Sequence, residues 1–257
     1  MSTRRSIIAG NWKMNTSLDE AVSLASQVRE GAAKFDGVDR VLIPPFPWIV
    51  PVRDALSGSG ISVGAQTCYH EDSGAFTGEV SPSMLAPLCS HVVLGHSERR
   101  HILGEDDAAV AARLEAVLRT SLSPILCVGE TLEEREAGNA NAVVERQLRS
   151  ALAGITQADM SRVVIAYEPV WAIGTGVAAS ADDAQEMAAF VRSTIGALHG
   201  STAGDGVQIQ YGGSVKGSNA DELMACPDVD GALVGGASLD AGEFVAIIRA
   251  AAGSGEN

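Results

Sequence analysis

Eight short apolar runs recur along this chain, at residues 6–10, 41–44, 61–65, 92–95, 125–129, 163–167, 207–211 and 231–235. Each is too short for a stable helix, and several are dense in valine and isoleucine, so each reads as a buried strand. The stretches between them carry a different period. Leu18, Ala21, Val22, Ala25 and Val28 would share one face of a helix after the first run, with Asp19 and Glu20 in its favourable first turn. Val144, Leu148, Ala151 and Leu152 repeat the pattern after the fifth run, and Ala184, Met187, Ala188, Val191, Ile195 and Leu198 after the sixth. Strands that alternate with helices pair in parallel through right-handed crossovers. Eight such units, with no linker or change of composition between them, predict an α/β fold: a closed (β/α)8 TIM barrel over residues 1–257 as a single domain. An open, doubly wound sheet is the alternative that the pattern leaves.

A core for this architecture must be built almost without rings, since hydrophobic residues make up 46% of the chain and aromatics only 4%. Aliphatic side chains are what buried parallel sheets prefer. The formal charge of −14 opposes nucleic acid and anionic membrane as partners. It does not oppose a small anion, because salt screens the global field over about 8 Å and a few local donors can outweigh it. No run approaches the ~20 apolar residues of a membrane span. The apolar stretch 7–9 behind the basic end, Met1 to Arg5, is too short for a signal peptide. Cys68, Cys89, Cys127 and Cys226 are widely spaced with no CxxC pair, which fits reduced thiols in a cytoplasmic protein. No His, Asp or Glu cluster has metal-ligand spacing, so neither a metal nor another cofactor is expected.

In barrels of this kind the active site forms from loops at the carboxyl ends of the strands. Reactive residue types fall there repeatedly. Asn11 and Lys13 follow the first run, His96 and Glu98 the fourth, Glu168 the sixth, Ser214 the seventh, and Gly235 and Gly236 the eighth. Glu168 ends a β-branched run, is followed at once by Pro169, and precedes an apolar stretch ending in Gly174-Thr175-Gly176. A carboxylate fixed by a sheet beside a glycine-ended loop suits proton abstraction beneath a lid over 169–177. An ordinary strand-to-helix turn with a solvated acid is the plain alternative.

Seven segments resemble the triosephosphate isomerase family in order and spacing: AGNWKMN (9–15), GAFTGEVS (74–81), VVLGHSERR (92–100), ILCVGET (125–131), AYEPVWAIGTG (166–176), YGGSV (211–215) and LVGGASL (233–239). The similarity runs from about residue 6 to residue 250. It implies an isomerase that interconverts dihydroxyacetone phosphate and D-glyceraldehyde 3-phosphate through an enediol or enediolate, with no cofactor. It implies Glu168 as the base, with Ile173 and Leu233 packed over its carboxylate. His96 would be a neutral electrophile at a helix N-terminus, where partial positive charge disfavours an imidazolium. Lys13 and Asn11 would bind substrate and stabilise developing charge, with Glu98 supporting Lys13. The phosphate would meet backbone N–H groups at Gly212, Gly213, Ser214, Gly235 and Gly236, and at Gly174 in the lid, since glycines let an anion approach closely.

The resemblance also implies a homodimer, since in the family the loop 66–79, here Gln66 to Glu79, projects into a neighbouring subunit. By residue match Thr77 would reach Asn11 of the partner subunit, and Glu79 would pair with Arg99 of the partner subunit. Cys127 has no flanking base in the sequence and reads as structural. Two other readings stay open on the residues alone: a Schiff-base lyase using Lys13, and a non-catalytic binding scaffold.

Overall fold

Side chains alternate between the two faces of a strand, so a sheet buried on both sides needs two separate sets of apolar residues. The computed structural model describes residues 4–173 and 179–253. Its strands are β1 (Ile7–Asn11), β2 (Asp39–Ile43), β3 (Ser62–Ala65), β4 (His91–Leu94), β5 (Ser123–Val128), β6 (Val164–Tyr167), β7 (Gln208–Tyr211) and β8 (Gly231–Val234). Each coincides with one of the predicted runs to within two residues. All pair in parallel with their neighbours in sequence, and β8 returns to pair with β1. The sheet is a closed barrel, which removes the open-sheet alternative.

The two apolar sets separate by strand position. Ile7, Ala9, Val41, Ile43, Val93, Ile125, Cys127, Val164, Ala166 and Leu233 form one buried cluster. These are alternate positions on six strands, and they fill the barrel. The residues between them, among them Ile8, Leu42, Val92, Leu94, Leu126 and Ile165, join a larger cluster with the helices.

The helix Leu18–Gly31 covers that outer layer through Ala21, Leu24, Ala25 and Val28. Here the expected face is corrected: Leu18 and Val22 are exposed, and Leu24 holds the contact instead. Val22 lies about 100° round the helix from Ala21, outside the stripe that Ala21, Ala25 and Val28 define. The helix Ala140–Leu152 buries all four of its expected residues and adds Val143 and Gln147. The helix Ala181–His199 buries its expected set except Leu198, which is half-buried, and adds Thr194. Capping boxes at Ser17, Thr131 and Ser180 satisfy the first amides of three helices.

At the amino-terminal end of the barrel, polar side chains tie the last strands together. Asp230 accepts from the Ile209 amide at 2.9 Å, from Arg192 Nη2 at 2.8 Å and from Arg4 Nε at 2.6 Å. The next residue, Gly231, has a φ of 156°, and a Cβ there would lie 1.9 Å from the Ile7 carbonyl oxygen. Only glycine fits at this seam between β8 and β1. Gly231→Ala is therefore expected to lower the unfolding free energy by about 3 kcal/mol or more. Urea unfolding measures it, and a loss under 1 kcal/mol (roughly the cost of an unstrained substitution) would show that the seam can yield.

Candidate active site

Strand parity carries the inner set of residues up to the rim. Ile7 and Ala9 point inward on β1, so Asn11 does too; Val164 and Ala166 do so on β6, which brings Glu168 over the barrel mouth. Both are buried. A cavity of about 620 Å³ opens there, lined by Asn11, Lys13, His96, Glu168, Ile173, Leu233, Gly212, Gly213, Ser214, Gly235 and Gly236 among others. Every described residue assigned to catalysis or substrate binding from the sequence lines this one space. Gly174 lies outside the described residues, as do residues 175–177 of the lid expected over 169–177.

Glu168 is only 2% exposed, and an ionised carboxylate so buried needs donors. The Ser97 amide donates to Oε2 at 2.8 Å, and His96 Nε2 lies 3.0 Å from Oε1. Two glycines make room for the residue. A Cβ at Gly129 would meet the Glu168 carbonyl oxygen at 1.7 Å, and one at Gly212 would meet its Cγ at 2.8 Å. Burial pushes the carboxyl pKa up, but His96, the Ser97 amide and Lys13 together hold it below the ordinary value.

His96 caps the helix Ser97–His101, and its Nδ1 accepts the Glu98 amide hydrogen at 3.2 Å. Nδ1 therefore keeps its lone pair, and the hydrogen of a neutral ring sits on Nε2, directed at Glu168. Burial acts against an imidazolium, while the Glu168 carboxylate acts for it and in this arrangement raises the pKa above the ordinary value. The opposing pull comes from a neighbouring side chain, not from the backbone.

Lys13 follows β1 with a φ of 53°, a left-handed conformation unusual for a lysine. Its amide donates to Asn11 Oδ1 at 3.1 Å, and its Nζ lies 2.5 Å from Glu98 Oε1. That ion pair is partly exposed and contributes at most about 1 kcal/mol to stability, so its effect is to orient the lysine. The ammonium stands next to Gly235, where a Cβ would come within 3.7 Å of Nζ.

Three features of the site were not picked out from the sequence. Ser97 supplies the amide that holds Glu168. Gly129 was read only as a strand end. Glu130 is fully buried and accepts from Tyr167 Oη at 3.1 Å, Trp171 Nε1 at 2.9 Å and Arg135 Nη1 at 3.1 Å. It ties the segment after Glu168 to the end of β5. A glutamate closing an apolar strand run was the available signal, the same one that singled out Glu168. Cys127 keeps its reading as structural, although a carboxylate, that of Glu168, lies near it. Burial first, and then that charge, push the thiol pKa well above the ordinary value, so the group is unreactive.

A model of the family described as triosephosphate isomerase matches residues 6–251. The chain belongs to the triosephosphate isomerase family. Triosephosphate isomerase of Moorella thermoacetica is 55% identical over 249 residues, covering 96% of this chain and 98% of that protein. The one from Rhodopirellula baltica is 49% identical over 250 residues, covering 97% and 98%. That of Chlorobium luteolum is 51% identical over 251 residues, covering 96% and 99%. All seven family-like segments of the sequence fall inside the matched span.

The depressed pKa of Glu168 has a consequence for stability. Its contribution to the fold is fully present above the unfolded carboxylate value of about 4.3, and it is lost as the pH falls through the lower folded value. The folded-state carboxyl of Glu168 is therefore expected to titrate with a midpoint below about 4.3, read from its carbon-13 NMR shift. A midpoint at or above that value would mean the carboxylate is not held down.

Proposed function

We propose that this chain interconverts dihydroxyacetone phosphate and D-glyceraldehyde 3-phosphate, with Glu168 as the base. The observation that carries the reading is the convergence of Asn11, Lys13, His96 and Glu168 on one cavity edged by glycines of the β7 and β8 loops. The family supports the same substrate. Glu168 takes a proton from the carbon next to the carbonyl, and His96 Nε2–H donates to the carbonyl oxygen as negative charge develops there. The proton returns at the neighbouring carbon, and His96 passes the hydroxyl proton from one substrate oxygen to the other, so that the old hydroxyl becomes the new carbonyl.

The resting geometry supports this division of labour. Once the carboxylate turns toward substrate carbon it leaves the Ser97 amide, and its basicity rises. His96 then loses the charge that favoured its imidazolium. Burial and the Glu98 amide remain, and both favour the neutral ring. Lys13 balances the negative charge of substrate and enediolate, and the phosphate sits against the backbone of Ser214, Gly235 and Gly236.

A coupled assay with dihydroxyacetone phosphate tests the activity. Glu168→Asp is expected to lower kcat by at least about 100-fold with the fold intact, because one methylene less withdraws the base from carbon. Near-parental turnover in that variant would take Glu168 out of the chemistry. No product from the parent chain would leave the lyase or the binding scaffold as the better reading, and borohydride trapping at Lys13 separates those two.

The chain acts as a homodimer in the cytoplasm. Support for the dimer comes from exposed apolar side chains around the β1, β3 and β4 loops: Met14 is 95% exposed, Ile102 77% and Met84 56%. The loop 66–79 is exposed from Glu71 to Glu79. Arg99, expected to meet Glu79 of the partner subunit, pairs within its own chain with Glu105 at 2.5 Å. Sedimentation at micromolar concentration is expected to give the mass of two chains, and a single-chain mass at every concentration removes this part of the proposal.

A further inference from the structure

Lys13 and Thr16 are the two described non-glycine residues with positive φ. A lysine does not hold that conformation unaided, so something fixes it. The amide end is held by Asn11 and the ammonium faces Glu98. The carbonyl end is held by Gln66, the first residue after β3, whose Nε2 donates to the Lys13 oxygen at 2.7 Å. The same nitrogen donates to the Ile43 oxygen at 3.1 Å, at the end of β2, and that oxygen also accepts the Trp12 amide at 3.1 Å. Nε2 carries two hydrogens, and each serves one carbonyl.

One side-chain amide thus joins the ends of β2 and β3 to the loop after β1. The arrangement needs a donor with two N–H groups. A glutamate of the same length would set negative charge against two carbonyl oxygens. Without the tie, the Lys13 peptide is free to relax toward negative φ, and that rotation swings the side chain away from the cavity.

We propose that Gln66 is a positioning residue for Lys13: it locks the lysine backbone in its left-handed conformation and thereby holds the ammonium over the cavity. The proposal rests on the reading of that cavity as a triose phosphate site. Glycerol 3-phosphate, an unreactive triose phosphate, serves as the probe, and its dissociation constant is measured by NMR titration of four proteins: parent, Gln66→Met, Lys13→Met and the double variant.

If Gln66 acts through Lys13, Gln66→Met weakens binding about tenfold in the parent and less than about twofold once Lys13 is already methionine. Gln66→Glu, which keeps the shape without the donors, loses as much as Gln66→Met. An equal loss in both backgrounds, or none in the parent, overturns the proposal in favour of a purely structural glutamine. Failure of both Gln66 variants to fold does the same. If the unmodified protein does not bind glycerol 3-phosphate, the substrate reading falls and this proposal with it, an outcome distinct from the other two.

Discussion

Closure of the sheet is the constraint from which the rest of this molecule follows. Once β8 pairs with β1, every strand has one face inside and one outside, and parity along the strand decides which side chain goes where. The inner set is aliphatic apart from Cys127, with alanine or cysteine next below the rim on β1, β5 and β6. The side chains one position away lie on the outer face, where Leu42, Leu94, Leu126 and Ile165 meet the helices. The same alternation carries past the last core residue to Asn11 and Glu168. The polar groups at the mouth are thus placed by the rule that builds the apolar core beneath them.

The Glu168 and His96 pair is set by where each residue sits against the backbone. Glu168 is buried with an amide donor on one oxygen, and His96 has its Nδ1 occupied by an amide of its own helix. Each ring nitrogen and each carboxylate oxygen then has a defined task before any ligand arrives. An unpaired carboxylate at this depth would take up a proton, since desolvation acts against its charge. The donors keep it ionised at rest and are few enough to be left behind.

The strands were legible because each is short, apolar and bounded by polar or glycine-rich sequence, and the barrel followed from their number. Asn11, His96 and Glu168 were legible because each stands at or just past a strand end. What escaped notice depends on contacts between distant positions. Ser97 and Glu168 are separated by 71 residues, and Gln66 and Lys13 by 53. Neither serine nor glutamine at a loop start announces such a partner. Gly129 matters because the chain of the next strand passes where its side chain would be, and a glycine in sequence does not say what stands beside it. The exchange of Val22 for Leu24 has a local cause, for both positions are apolar and only the direction of the sheet chooses between them.

Charge around the cavity is divided in a way that the net value of −14 conceals. Glu168 lies on the β6 side with its oxygens engaged by donors, while Glu243, in the helix that follows β8, has an oxygen occupied by the Gly217 amide at 2.9 Å. On the other side Lys13 stands by Gly235, where the backbone has no side chain to keep an anion away. A ligand with one strongly charged end has that charge drawn toward Lys13 and the backbone donors of the glycines, and its uncharged end is left against Glu168 and His96. In the proposed reaction that orientation brings the carbonyl carbons, rather than the phosphate, to the base. An acidic surface beyond a Debye length of about 8 Å is screened from the bound ligand, so a very acidic protein can hold a dianion at such a mouth.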